Sequence, residues 1–317
     1  MENKIKVVFC GTPKIGSDVL KALIEMNEVE VVLVVSQPDK PVGRKKEIVY
    51  TPVKKLALEN NLQVVQPEKI GEIYEQLASL EFDFLITCAF GQFIPTKILK
   101  LAKIDSINFH GSLLPKLRGG SPIQYAIKNG DKKTGITIMQ MVKQMDAGDF
   151  YVQQEIDILD SDDSGSLFEK MGQLAYSMCK KYLLDIYNHK FELIKQNEEQ
   201  VTFCKNISSE EEKINWNNTS LDIFNLIRSL SPTPISYTTI NNQRYKIKSS
   251  KVVEIDNMYK DVIPGTIIDI NKQGIVVKTL DKALLILEIQ KEGKKMILAS
   301  NYYLNKLNDL KINDKFD

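Results

Sequence analysis

Residues 5–10 (Ile-Lys-Val-Val-Phe-Cys) form a short apolar run ending in Gly11. The pairs Val19/Leu20 and Leu23/Ile24 then follow at helical spacing, before a second apolar run from Val29 to Val35. Strand, crossover helix and strand in so short a stretch make a βαβ unit, because strands buried on both faces read as continuous apolar runs rather than as alternation. Strand-like segments at 83–88 and 104–109, with helical patterns at 53–60, 69–79 and 121–129, extend this unit into a mostly parallel sheet covered by helices. Leu167, Met171, Leu174, Met178, Tyr182 and Leu183 mark an amphipathic helix over about 167–187 that closes the domain. The fold class is therefore α/β, and ligands of such sheets gather at the carboxyl ends of the strands.

The texture changes after Lys205. A polar, acidic stretch at 206–220 leads into a short helix carrying Leu221, Phe224, Ile227 and Leu230, which Pro232 and Pro234 terminate. Short β-rich runs at 235–240, 245–254, 265–270, 274–279 and 283–289 are separated by Gly, Asn and Asp, the pattern of a small five-stranded barrel of OB type. Two domains are expected, over 1–205 and 206–317. The length of 317 residues agrees with two, and 43% hydrophobic and 26% charged residues exclude a disordered or fibrous chain.

The chain has 42 basic and 41 acidic residues, so any nucleic-acid partner would have to be met by a local basic face rather than by net charge. Four cysteines, at 10, 88, 179 and 204, form no CxxC pair, and histidine occurs only at 110 and 189, so no metal site is expected. The first residues run directly into a strand, and no apolar stretch approaches the roughly 18 residues of a membrane span. The expectation is a reduced, cytoplasmic protein with no membrane partner.

The turn from Gly11 to Asp18 superficially resembles a phosphate-cradling loop. It lacks the Lys-Ser/Thr pair after the last glycine and the GxGxxG spacing, so its glycines are read as serving a tight strand-to-helix turn. The segment 106–124 carries more chemistry. Strand alternation places Asn108 and His110 on one face, with glycine and proline immediately after. An asparagine amide donates to a developing oxyanion and an imidazole exchanges a proton near neutral pH, so the two suit acyl transfer. A strand-end Asn that satisfies the turn, beside a His bonded to backbone, is the competing explanation. Asp146, in a glycine-ended loop, is a candidate to hold and charge-balance the imidazole, and a turn carboxylate bonded to its own backbone is the alternative.

Asn108 and His110 followed by Gly-Ser-Leu-Leu-Pro, with Asp146 about 35 residues later in an Asp-Ala-Gly-Asp loop, resemble the folate-dependent formyltransferases that use 10-formyltetrahydrofolate. Gln37-Pro-Asp-Lys-Pro-Val-Gly-Arg-Lys-Lys46, Thr51-Pro-Val-Lys54 and Arg118-Gly-Gly-Ser-Pro-Ile-Gln124 resemble the branch of that family acting on methionyl-tRNA. Ile214-Asn-Trp216, the run from Ile227 to Pro234 and Pro264-Gly-Thr266 resemble its C-terminal domain, so the likeness covers nearly the whole chain. It implies a Rossmann-like catalytic domain followed by an OB-like tRNA-binding domain. The implied reaction moves the formyl group of 10-formyltetrahydrofolate to the α-amine of methionyl-initiator tRNA, for translation initiation. The same resemblance implies a catalytic trio, with Asn108 and His110 as donors to the tetrahedral oxyanion and Asp146 orienting His110 and assisting proton transfer, and a folate pocket at Phe90, Gly91, Ser112, Leu113, Leu114 and Pro115, with no metal and no obligate protein partner. Phe90 stands where tyrosine is frequent in the family, and Thr233 where an aromatic is usual.

Only four arginines, at 44, 118, 228 and 244, stand against 38 lysines, so arginine is not the default cation of this chain. Arg44, Lys45 and Lys46 belong to a Pro/Gly-containing basic loop that the resemblance assigns to the tRNA acceptor end; a solvated charge run is the plain alternative. Arg244, Lys246 and Lys248 share one face of a strand-like segment without acids and form a second candidate tRNA contact, against edge-strand lysines that merely deter aggregation. Related formyltransferases act on glycinamide ribonucleotide or amino sugars, a related hydrolase domain attacks the same donor with water, and a non-catalytic tRNA binder would share the fold. The basic loop and β-rich second domain argue against the first three, and Asn108, His110 and Asp146 against the last.

Overall fold

The computed structural model describes residues 4–42 and 47–317. The chain divides into two compact units, the first made of Met1–Pro122, Lys133–Asp157 and Phe168–Lys205. A seven-stranded sheet runs through it in the order Phe150–Asp157, Lys133–Gln140, Asp105–His110, Phe84–Cys88, Ile5–Gly11, Val29–Val35, Val64–Val65. The five strands from Asp105–His110 onward pair in parallel, and the other two add an antiparallel edge. Phe84–Cys88 is buried at every position, as a central strand covered on both faces must be. The antiparallel pair Lys133–Gln140 and Phe150–Asp157 brackets the loop that carries Asp146.

Helix Lys14–Ile24 buries Ile15, Val19, Leu20 and Leu23. A Cβ added at Gly16 would come 2.9 Å from the Cys88 carbonyl oxygen, and one at Gly11 3.1 Å from the same atom. The glycines of the first turn therefore let strand and helix approach a neighbouring strand end, which is packing rather than phosphate binding. Helix Ser164–Tyr187 buries Leu167, Met171, Met178 and Leu183 and leaves Leu174 and Tyr182 half-buried. Among the described residues, no helix is long and apolar enough to cross a membrane.

The second unit comprises Ile123–Lys132, Ile158–Leu167 and Asn206–Asp317. Side chains explain why two early segments join it. Arg228, on helix Ser220–Ser229, donates to the carbonyls of Leu159 (2.9 Å) and Asp162 (3.2 Å), and Glu211 accepts from Lys128 (2.8 Å) and Tyr125 (2.9 Å). Its antiparallel strands follow the path Ser236–Ile240, Gln243–Val253, Ala283–Lys291, Gly274–Lys278, Ile267–Asn271. Direct strand pairing leaves that path open, but the C-terminal residues span its ends: Phe316 N–H donates to Gly265 O (3.0 Å) and Asp317 N–H to Thr239 O (2.8 Å). The core gathers around Trp216, which stacks on Phe316 (5.8 Å between ring centroids) and donates to Thr238 Oγ1 at 2.9 Å. Asn241 and Asn242 take positive φ in the two-residue turn between the first two strands, a conformation asparagine tolerates better than most residues.

Candidate active site

Asn108 and His110 lie at the carboxyl end of strand Asp105–His110, beside the carboxyl end of Phe84–Cys88. Thr87, opposite Asn108 in the register, donates to Asn108 Oδ1 at 2.8 Å. Fixing the amide oxygen in this way directs the Nδ2 donors elsewhere. His110 is 5% exposed; its Nε2 lies 2.9 Å from the Leu117 carbonyl, and its Nδ1 lies 3.7 Å from Asp146 Oδ1. A carbonyl only accepts, so Nε2 carries hydrogen and Nδ1 is the atom that meets the carboxylate. The three residues converge, but the ring is less open than an oxyanion donor would be: one nitrogen is held by backbone and the other faces Asp146.

Asp146 stands in the left-handed region at φ +51°. Its Oδ2 accepts from the Gly119 N–H at 2.9 Å, and its own carbonyl accepts from Gln196 Nε2 at 2.8 Å. The turn-residue alternative is thus not what holds it, because both bonds come from elsewhere in the chain. Arg118, 1% exposed, donates to Gln196 Oε1 through Nε and Nη2 (3.0 and 2.9 Å) and to Glu198 Oε1 through Nη2 (2.7 Å). The guanidinium holds the Glu198 carboxyl below the usual range. The sequence marks Arg118 only as part of a motif and gives no sign of Thr87 or Gln196, since single Thr and Gln residues carry no spacing signal.

The segments that the resemblance assigns to folate follow the adjacent strands Phe84–Cys88 and Asp105–His110. Phe90 and Leu114 are 4% and 3% exposed and pack into core clusters, Phe90 with Val8 and Leu33, Leu114 with Met139 and Phe150. Ser112 Oγ donates to Lys116 O (2.6 Å), while Leu113 and Pro115 stay half-buried. Gly91 has φ +80°, and a Cβ there would lie 2.3 Å from Gln37 Nε2, which donates to Phe90 O at 2.9 Å. That glycine lets the Gln37 segment close onto the loop. Among the described residues no cluster of His, Cys, Asp and Glu has the makings of a metal site. All four cysteines are buried, and burial pushes each thiol up, which disqualifies them as nucleophiles.

Arg44, Lys45 and Lys46 lie outside the described residues. The strands on either side, Lys40–Val42 and Glu47–Val49, pair antiparallel, and Ile48 is 71% exposed. Asp39 at the base accepts from Lys54, Gln66 Nε2 (2.9 Å) and Thr51 N–H (3.3 Å). In the second unit, Arg244, Lys246 and Lys248 do share a face, with Tyr245 and Ile247 buried on the other. Their strand pairs on both sides, so it is not an edge and the anti-aggregation explanation falls. Each cation is nevertheless engaged: Lys248 with Glu288 (2.9 Å), Lys246 with Pro234 O (3.0 Å), Arg244 over the Tyr237 ring at 3.4 Å.

The family model described as "Formyl transferase" matches residues 3–182, and "Formyl transferase, C-terminal domain" matches 206–307. A methionyl-tRNA formyltransferase of Mycoplasma mycoides subsp. mycoides SC is 90% identical over 317 residues, covering 100% of both chains. Among solved structures, an N-formyltransferase from Helicobacter canadensis in complex with folinic acid and dTDP-3-aminofucose superposes with a TM-score of 0.66 at 21% identity, covering 90% of this chain and 99% of that one. HypX from Aquifex aeolicus in complex with tetrahydrofolic acid gives a TM-score of 0.61 at 13% identity over 100% of this chain and 51% of that one, so this chain spans about half of HypX. At those identities the two structures speak for the fold alone.

Proposed function

Because the chain belongs to the methionyl-tRNA formyltransferase family, we infer that it transfers the formyl group of 10-formyltetrahydrofolate to the α-amine of methionyl-initiator tRNA. The product is N-formylmethionyl-tRNA for translation initiation. The observation that carries the reading is the convergence of Asn108, His110 and Asp146 at one strand end, with Thr87 turning the Asn108 amide.

In the reaction, the neutral amine attacks the formyl carbon on N10 of the folate, and an N–C bond forms while the carbonyl oxygen takes up negative charge. The Asn108 Nδ2 donors stabilise that oxyanion. The amine sheds a proton to the His110–Asp146 pair, the pair returns a proton to N10, and the C–N10 bond breaks. An α-amine titrates at about 7.7–8.0, so a neutral fraction exists without a strong base, and positioning carries more of the barrier than deprotonation. The loops at 89–95 and 111–117 form the donor side; their half-buried Leu113 and Pro115 suit a flat pterin. Purified protein given labelled 10-formyltetrahydrofolate and charged initiator tRNA transfers the label to the tRNA; transfer to water or to an amino sugar instead would overturn the reading.

The first unit holds folate and performs the chemistry, and the second, built mainly from 206–317, contributes tRNA affinity. Arg44→Ala raises the apparent KM for charged tRNA and lowers kcat with folate affinity spared, since a docking loop serves both binding and alignment. Single changes at Lys45 or Lys46 matter less. Damage to folate binding with normal tRNA kinetics would place the loop on the donor side.

The Arg244, Lys246 and Lys248 stripe supplies sequence-tolerant phosphate contacts after exchanging its internal partners. Neutralising all three flattens the slope of log K against log salt for tRNA by up to about 3, roughly one counterion for each phosphate no longer neutralised. Preference for initiator over elongator tRNA survives. An unchanged slope would leave these cations to their partners within the fold.

A further inference from the structure

Gln196 is 9% exposed, and its amide is fully used. Its oxygen receives two donors from the buried Arg118 guanidinium, at 3.0 and 2.9 Å, and its nitrogen donates to Asp146 O at 2.8 Å and Gly148 O at 2.7 Å. The cation on one side and two carbonyls on the other leave a single orientation for that amide. The turn it grips has one long internal bond, from Ala147 N–H to Gln144 O (3.4 Å), and is tied at its end by Gln140 N–H to Asp149 O (2.8 Å). Asp146 is a non-glycine residue at φ +51°, a region that the surroundings must enforce. A Cβ at Gly148 would come 2.0 Å from Gln140 O, so the turn has little room to shift on its far side.

We propose that Gln196, itself fixed by Arg118, is a positioning residue that clamps the Asp146–Gly148 turn so that the Asp146 carboxylate faces His110. Gly119 N–H fixes the carboxylate directly and Gln196 fixes the backbone beneath it, so together they determine where the charge sits. Without the clamp, the turn relaxes and the carboxylate leaves its place 3.7 Å from His110 Nδ1. A displacement of about 1 Å in a reacting constellation typically costs on the order of 10²-fold in rate. The inference rests on the catalytic reading of Asp146 given above.

The test uses two variants of the full chain. Gln196→Glu keeps an oxygen for Arg118 but sets carboxylate oxygens against two carbonyl oxygens; Gln196→Met removes both sets of bonds. With 10-formyltetrahydrofolate and methionyl-initiator tRNA, each lowers kcat by about 10–10²-fold, while KM for either substrate stays within about threefold. In an Asp146→Asn background neither variant adds further loss, because the residue through which Gln196 acts is already disabled. A folded Gln196→Glu protein with wild-type kcat, a loss confined to KM, or full multiplicative loss in the Asp146→Asn background would overturn the proposal. So would failure of both variants to fold, since that makes Gln196 a residue of stability alone. If Asp146→Asn by itself retains wild-type turnover, it is the catalytic reading that fails, whatever Gln196 does.

Discussion

His110→Ala lowers the turnover number by about 10²–10³-fold while leaving KM for charged tRNA within about a factor of two. The ring is 5% exposed and holds its place through Leu117 O and Asp146, so it offers little surface to a bound ground state. In the proposed reaction it exchanges a proton as the amine adds and N10 leaves, and an interaction made only in the transition state appears in kcat rather than in KM. Removing a buried imidazole also leaves the Leu117 carbonyl with the weaker Cys204 Sγ donor at 3.4 Å, so unfolding is followed alongside the kinetics. A folded variant keeping more than about a tenth of wild-type turnover would remove His110 from the chemistry.

The parallel half of the first sheet is legible in the sequence because a doubly covered strand is nearly all apolar, and 5–10, 29–35 and 83–88 are so apart from Lys6 and Glu30 near their starts, Asp83 and Thr87. Alternation alone places Asn108 and His110. Lys133–Gln140 and Phe150–Asp157 are harder to see: the second has a half-buried, polar-rich pattern that carries no run, and only pairing with its neighbour makes it a strand. The clamp around Asp146 is invisible for a different reason. Arg118 and Gln196 are 78 residues apart, and nothing local in either predicts that a guanidinium would be buried to hold an amide. The basic stripe does occupy one face of a strand, as its spacing predicts, yet its engagement by Glu288, Pro234 and Tyr237 depends on partners from other parts of the chain. Periodicity reports which side a residue faces; it does not report what waits there.

Gly119→Ala tests the same site through its backbone. Gly119 has φ +125°, and a Cβ added there would lie 1.9 Å from the Cys204 carbonyl oxygen and 3.0 Å from its carbon. Arg118–Gly119 and Phe203–Cys204 pair as short parallel strands, so the intruding atom is opposed by backbone that cannot rotate away as a side chain would. Relieving the clash means parting the two strands or moving Gly119 out of its conformation, and strain of this kind costs on the order of 1–3 kcal/mol before any bond is broken. The Gly119 N–H that fixes Asp146 Oδ2 moves with it. The substitution therefore acts on stability and on catalysis together: the melting midpoint of the first unit falls by on the order of 5–10 °C, and at a temperature where the variant remains folded kcat drops by at least about tenfold. Arg118 links the effects, since a shift at Gly119 drags on the guanidinium that holds Gln196. Scanning calorimetry and steady-state kinetics on the same preparation separate them. An alanine variant that melts with the wild type and turns over normally would mean that the close approach of residue 119 to Cys204 is not present in solution, and the placement of Asp146 would then have to come from Gln196 alone.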